Sequence, residues 1–377
     1  MALFQRGQLK GSIMIGPSNT TSGGAFAHRN PRRRGCALAL TAGVLALGAA
    51  QLGLADKPAG ALKTQHDQYF DHRPSLQKTG RFVVMHNTEA RTARTAAELL
   101  SLTRHTFYAT FQNNGFTLKP LDSPMVCLVF DQKQEFVEYG KQADNRDMSW
   151  SGGYYSSRTN RVALYKSPAY GIPNVVPDKE EALATDGKSA STANAKAPDN
   201  KHNETSSADN PLLGSDTAEV ATLARTTHEA AHQMAFNSGL QKRGVMYPFW
   251  VSEGLATMFE LNQQRALGPA AANPRRRETL LQAHQAGALP PLNEFVAQTR
   301  IDTSDAQAVR RSYAHAWGLF RFLLEHQPDA MRDYLQKLKA APYGKRTPRA
   351  LRHDFVEAFG AMAEVKEAWQ RWLTRLK

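Results

Sequence analysis

The chain has 377 residues, enough for one large domain or two ordinary ones, and 41% of them are hydrophobic, as in a globular protein with a sizeable core. The formal net charge of +13 invites a nucleic-acid reading, but residues 1–55 carry Arg6, Lys10, Arg29, Arg32, Arg33 and Arg34 with no acid, which leaves 13 − 6 = +7 for the rest. No dense basic run with interleaved aromatics occurs in that remainder, so nucleic-acid binding is not expected, and a basic surface biases only toward anionic cell-surface material.

The N-terminus reads as a targeting segment. "HRNPRRR" is followed by "GCALALTAGVLALGAAQLGLA", a run of 21 residues without a charge that ends in small residues. A basic region, an apolar stretch and a small-residue exit fit an export signal spanning residues 1–55, with Met14 as the expected start of the signal proper and a faint likeness to twin-arginine export. Residues 35–55 are also long enough to anchor the chain in the inner membrane with the arginines on the cytoplasmic side. The expected location is therefore exported, periplasmic or in the cell envelope. Cys36 precedes the apolar run and is badly placed for lipid attachment. Removal of the signal leaves Cys127 alone, with no intramolecular disulfide and no thiolate metal cluster. Its setting, "PMVCLVFD", points to a buried core thiol.

Residues 56–166 alternate strand and helix signals. "GRFVVMHN" and "MVCLVFD" read as buried strands, and "TARTAAELLSLTRHTFYATF" has apolar residues at helical spacing. "QKQEFVEYG" predicts a short helix ended by Gly140, and "GGYYSSRTNRVALYK" a hairpin. The texture then changes. Residues 167–215, above all 178–210, offer almost nothing apolar to bury and read as a low-complexity disordered insertion.

Residues 216–377 read as mainly helical. A helix is expected from Asp216, capped with Glu219, to a C-cap at Gly239. A second is expected over "YPFWVSEGLATMFELNQQ", with Pro248 in its first turn. Others follow at "RRSYAHAWGLFRFLLEH", "DAMRDYLQKLKA" and "EVKEAWQRWLTRLK". The fold class expected is α+β: a small mixed sheet with helices, then a helical part.

The first of these helices contains "HEAAH". Residues four apart share a helix face, so His228 and His232 can aim both imidazoles at one point, at about 2.1 Å from a zinc ion. Glu229 is one step round the helix, where it can reach a water on that ion and serve as general base. The alternative is a pair of surface histidines on a polar face. A catalytic zinc needs a third protein ligand. Glu253, in "WVSEGLATMFE", follows a turn that lets the next helix fold back, and its carboxylate can complete a His₂Glu set. An ordinary surface glutamate is the rival reading, with Gly254 and Ala256 then marking close helix packing. Glu260 stands seven residues on, two turns along the same expected face; it is a candidate partner for a ligand imidazole's second nitrogen or else a solvent salt bridge.

These motifs resemble those of the gluzincin zinc metallopeptidases, in which HExxH is followed by a glutamate on the next helix. Gln233, Asn237, Trp250, Glu253, Gly254, Ala256 and Glu260 are similar to the aminopeptidase branch. The layout resembles still more a bacterial peptidase MA-like family, the domain of unknown function 1570, where a "GYY" hairpin precedes HEAxH and WxxEGLA follows, over about residues 80–330 here. The resemblance implies a zincin-like fold, Zn²⁺ held by His228, His232 and Glu253, and Glu229 activating water. Asn237 would support the ligands alongside Glu260. Tyr313, in "SYAHAWGLFRFLL", takes the place of the family's oxyanion-stabilising tyrosine, with Arg321 and Leu323 in register; Ala316 stands where the family has glycine, with Gly318 nearby. The alternative for Tyr313 is a core aromatic. His315 has no family counterpart and reads as a partner-free surface or interface histidine. The Gly-x-Met-Glu-Asn strand by which the exopeptidase branch holds an amino terminus is missing, although the hairpin strand could hold a peptide by β-addition. The expected activity is hydrolysis of peptides or proteins, as an endopeptidase rather than an aminopeptidase. A noncatalytic zincin-fold binding or scaffolding protein of the cell envelope is the rival, which the retained Glu229 disfavours.

Overall fold

Runs that are apolar throughout cannot face water on either side, and "FVVM" and "MVCLVF" accordingly form the buried middle of a sheet. The computed structural model describes residues 67–166, 217–262, 267–268, 273–302 and 304–376. The export segment expected at 1–55 and the insertion expected at 167–215 lie outside them. Five strands, β1 (Ser75–Thr79), β2 (Phe82–His86), β3 (Met125–Phe130), β4 (Gly153–Ser156) and β5 (Arg161–Tyr165), make one sheet in the order β1-β2-β3-β5-β4. The inner pairs β2/β3 and β3/β5 are parallel, and both edge strands are antiparallel to their neighbours. The "GYY" run and "RVALY" form the expected hairpin, with Asn160 at φ 57 in its turn.

Successive residues alternate between the two faces. Val84, Cys127, Val129, Val162 and Leu164 join a core with α1 (Ala90–Asn113), whose Ala97, Leu100, Phe107 and Phe111 are buried. Val83, Val126, Leu128 and Ala163 face the other way, onto Phe136 and Tyr139 of α2 (Lys133–Asp144). α2 does not stop at Gly140. It runs on to a cap at Asn145, φ 52, and a Cβ at Gly140 would stand 2.9 Å from the Met148 side chain. The glycine there serves close packing, not helix termination. Cys127 is fully buried, and burial pushes its thiol well above the usual range.

The second half is helical: α3 (Thr217–Asn237), α4 (Phe249–Thr257), α5 (Pro274–Gln285), α6 (Leu292–Phe295), α7 (Ala306–His326), α8 (Pro328–Ala340), α9 (Pro348–Phe359) and α10 (Met362–Arg375). The cap expected at Asp216 and Glu219 lies outside the described side chains, whereas Gly239 adopts φ 75 just past α3, as a C-cap requires. The two halves are not separate folds. Ala230, Met234 and Trp250 share the core of α1 and the sheet, so the architecture is α+β around one main core. Among the described residues no helix is long and apolar enough to cross a membrane.

Close backbone packing joins α4 to α7. A Cβ on Gly254 would lie 2.4 Å from the Ala316 carbonyl oxygen and 2.8 Å from the Phe320 Cβ. Backbone cannot yield as a flexible side chain can. Gly254→Ala is therefore expected to cost about 3 kcal/mol, the upper end for overpacking, measured as a lowered urea midpoint with an unchanged slope.

Candidate metal centre

α3 carries His228, Glu229 and His232 into the main core. The ring centroids of the two histidines are 4.9 Å apart, one turn along the same face. After α3 the chain reverses through Gly239, where the Gln241 amide reaches back to the Ala235 carbonyl at 2.7 Å. α4 begins with the Phe249 amide donating to the Gln298 carbonyl and returns Glu253 to α3. His228 Nε2 lies 3.3 Å from Glu253 Oε2, and His232 Nε2 lies 3.6 Å from Glu253 Oε1. One ligand atom from each of the three residues falls within 4.8 Å of the others. Two ligands at about 2.1 Å from a tetrahedral zinc stand about 3.4 Å apart, so both close separations match the edge of such a site.

The buried polar atoms point the same way. His228 Nε2, Glu253 Oε2 and Glu229 Oε1 are buried without a properly directed hydrogen bond. Orphaned buried groups are costly, and two of them, His228 Nε2 and Glu253 Oε2, face each other across 3.3 Å, as atoms that share a cation would. Burial alone would lower the His228 imidazole, yet Glu253 and Glu260 outweigh it and raise it. Burial would likewise raise Glu253, but His232 and His228 hold it far below the ordinary carboxylate range. The field at this point draws positive charge.

Glu260 reaches the site by a different path from the one its spacing predicts. α4 ends at Thr257, whose hydroxyl donates back to the Glu253 and Gly254 carbonyls, so Glu260 is off the helix and not two turns along it. The Leu261 amide is tied to Thr227 Oγ1 at 3.0 Å, which fixes the segment beside α3. Glu260 Oε1 sits 3.1 Å from His228 Nδ1, and the residue is buried rather than paired in solvent. Asn273 Nδ2 donates to Glu260 Oε2 at 3.0 Å; Arg276 donates to both oxygens, through Nε at 3.0 Å and Nη2 at 2.6 Å. Burial pushes the Glu260 carboxyl up, but Arg276 and His228 overcome it and hold it down at about 2.

Glu229 is treated differently. Its Oε2 accepts the Tyr155 amide of edge strand β4 at 2.8 Å, and burial raises its carboxyl above the usual value against the pull of both histidines. That amide is consequently unavailable to a peptide added along β4. Arg225, one turn before Glu229 and fully buried, donates to the Gly152 carbonyl at 3.1 Å and so fixes the approach to β4. Tyr313 lies near His228, with ring centroids 6.4 Å apart, and its ring centroid is 5.2 Å from that of Phe249.

Two expectations need correction. Asn237 does not contact the ligands or Glu260. It bonds Asn160 at 2.8 and 3.0 Å and Arg243 at 3.2 Å, and pins the hairpin turn to the end of α3, because it lies beyond His232 on the part of α3 that meets that turn. Gln233 also serves the hairpin, donating to the Asn160 carbonyl at 3.0 Å. His315 is not at a surface. It is 1% exposed, stacked on Phe295 with centroids 3.9 Å apart, and burial pushes its imidazole down to about 3. Sequence reasoning placed Tyr155 in the GYY hairpin but not its amide on Glu229, and it missed Arg276, Asn273 and Arg225. Of these three, Asn273 left a signal: Asn-Pro at 273–274 is a helix-start signature, and its side chain does accept from the Arg276 amide.

Glu260→Gln leaves Arg276 buried beside a neutral amide. We expect a loss of about 3 kcal/mol, the lower end for breaking a buried ion pair, measured by urea unfolding in the presence of a chelator.

No curated protein matches the chain. The GYY hairpin and the sheet, expected within the resemblance, fall outside the stretch that a known family matches. That stretch, residues 219–343, matches the family described as "Protein of unknown function (DUF1570)", and it contains every side chain of the centre from His228 to Tyr313.

Proposed function

We propose that the protein is an exported zinc-dependent metallopeptidase of zincin-like fold, with a gluzincin ligand set of His228, His232 and Glu253. The observation that carries the reading is the convergence of these three residues at 3.3 and 3.6 Å, with the orphaned His228 Nε2 and Glu253 Oε2 facing each other. Zn²⁺ bound there supplies a Lewis acid for the scissile carbonyl and lowers the pKa of its water to about 7.

The chain's own residues would do the rest. Glu229 is oriented by the Tyr155 amide on Oε2, which leaves Oε1 free to take a proton from the attacking water and pass it to the leaving amine nitrogen. Tyr313 would donate a hydrogen bond from its phenol to the oxygen that gains charge. Entry is from the His232 and Glu253 side, where the side chains keep 13% and 17% of their exposure while His228 keeps none. The substrate is a peptide or protein. The missing amino-terminus motif favours internal cleavage over removal of a terminal residue.

The purified chain is expected to carry one zinc ion by elemental analysis and to cleave members of a mixed peptide library read by mass spectrometry. Glu229→Gln should keep the zinc and lose activity by roughly 10²–10⁴-fold. Zinc binding without cleavage of any peptide would favour a noncatalytic envelope protein, and no zinc in the wild type would overturn the proposal. Tyr313→Phe should retain zinc and lower kcat by roughly 10²–10³-fold; an unchanged kcat would return Tyr313 to the core.

A further inference from the structure

We propose that Arg276 is a positioning residue of the metal centre, locking the Glu260 carboxylate so that Oε1 stays aimed at His228 Nδ1. The inference rests on the zinc reading above. Arg276 is 2% exposed and enters from the first turn of α5, where Pro274 and the Asn273 cap fix the helix start. Its guanidinium grips Glu260 as a fork, Nε to Oε2 at 3.0 Å and Nη2 to Oε1 at 2.6 Å. A carboxylate held by one bond can turn about its last carbon–carbon bond, whereas one held by a fork cannot. Asn273 adds a second bond to Oε2, and His228 Nδ1 takes the second place on Oε1. Each oxygen thus has two partners, and the only one of the four on a proposed ligand is His228.

The same guanidinium lies with Cζ 5.2 Å from the centroid of the Tyr313 ring. One side chain therefore backs both the partner of His228 and the aromatic that flanks it. An arginine needed only to neutralise a buried glutamate could be replaced by lysine, because the charge would be kept. An arginine needed for its fork could not. Arg276→Lys separates the two roles, and since net charge is unchanged it leaves the electrostatic attraction for Zn²⁺ in place.

The test uses the full chain, with Zn²⁺ affinity measured by competition against a chromophoric chelator and unfolding of the metal-free protein followed in parallel. Arg276→Lys should weaken zinc binding roughly tenfold, the scale on which loss of a ligand's supporting bonds acts. Because Arg276 acts through Glu260, the double variant with Glu260→Gln should bind no more weakly than Glu260→Gln alone. Asn273→Ser, which keeps a capping oxygen but removes the donor to Glu260, should show a smaller loss and guards against misfolding of the lysine variant. Wild-type zinc affinity in Arg276→Lys, or losses that multiply in the double variant, would overturn the inference, even if the metal-free protein melts earlier. If Arg276→Lys does not fold, unchanged affinity in Asn273→Ser would do the same. Failure of the wild type itself to bind zinc would instead sink the functional proposal.

Discussion

The centre depends on backbone contact between α4 and α7 at Gly254 and Ala316. Residues on a helix turn by about 100° per position, so with Gly254 pressed to α7 its neighbour Glu253 faces toward α3. Tyr313 precedes Ala316 by three residues and therefore lies on the same face of α7, one turn away. The contact that seats α4 thus also brings Tyr313 to 5.2 Å from Phe249, at the start of α4, and up to His228. With any side chain at position 254, α4 would stand off, and the 3.3 and 3.6 Å separations of Glu253 from the histidines would open with it.

Two buried glutamates, Glu229 and Glu260, and the partly buried Glu253 share this small volume, and each is compensated differently. A buried carboxylate without partners would take up a proton instead of staying charged. Glu260 has a full set of four bonds and an arginine, so its proton is held off down to about pH 2. Glu253 draws on two imidazoles. Glu229 has one backbone amide and one unpartnered oxygen, and its carboxyl moves up. Environments that push similar groups apart separate a fixed structural charge from one that can exchange a proton. Here the separation comes mainly from Arg276, which lies against Glu260 and not against Glu229.

What the sequence disclosed depended on whether a signal was local. Buried strands and amphipathic helices repeat their pattern within one element, and β2 to β5, α1, α3, α7, α8 and α10 could be placed from it. The strand β1, "SLQKT", has one apolar residue and is held by pairing across the tight turn at Gly80, which leaves little periodicity. α5 begins "PRRRE", polar enough to look solvated, yet Arg276 is buried against a glutamate sixteen positions earlier. No window of sequence contains that pair. The HEAAH motif and Glu253 were legible because their spacing is helical and the fold-back needs only a turn. Glu260 was reached for the wrong reason: its spacing suggested a helix face, but Thr257 ended the helix and the Leu261–Thr227 bond supplied the position. Asn237 and His315 show the converse, since a residue's face on its own helix does not say which neighbour packs there.

Ala316, at the position where the resembling peptidases carry glycine, shows how the two helices divide the space between them. The close approach needs one missing side chain at the crossing, and Gly254 provides it, with the Ala316 carbonyl filling the place of its Cβ. A second glycine opposite would leave a gap, and gaps in a close-packed core forfeit contacts on every side. The glycine α7 does carry, Gly318, looks elsewhere. A Cβ there would meet Leu280 of α5 at 2.4 Å and Trp369 of α10 at 3.0 Å. Gly318 thus lets α5 close onto α7, and α5 is the helix that delivers Arg276 to Glu260. Ala316 and Gly318 therefore serve two different contacts: one belongs to the contact that seats Glu253, the other to the contact that seats the arginine behind His228.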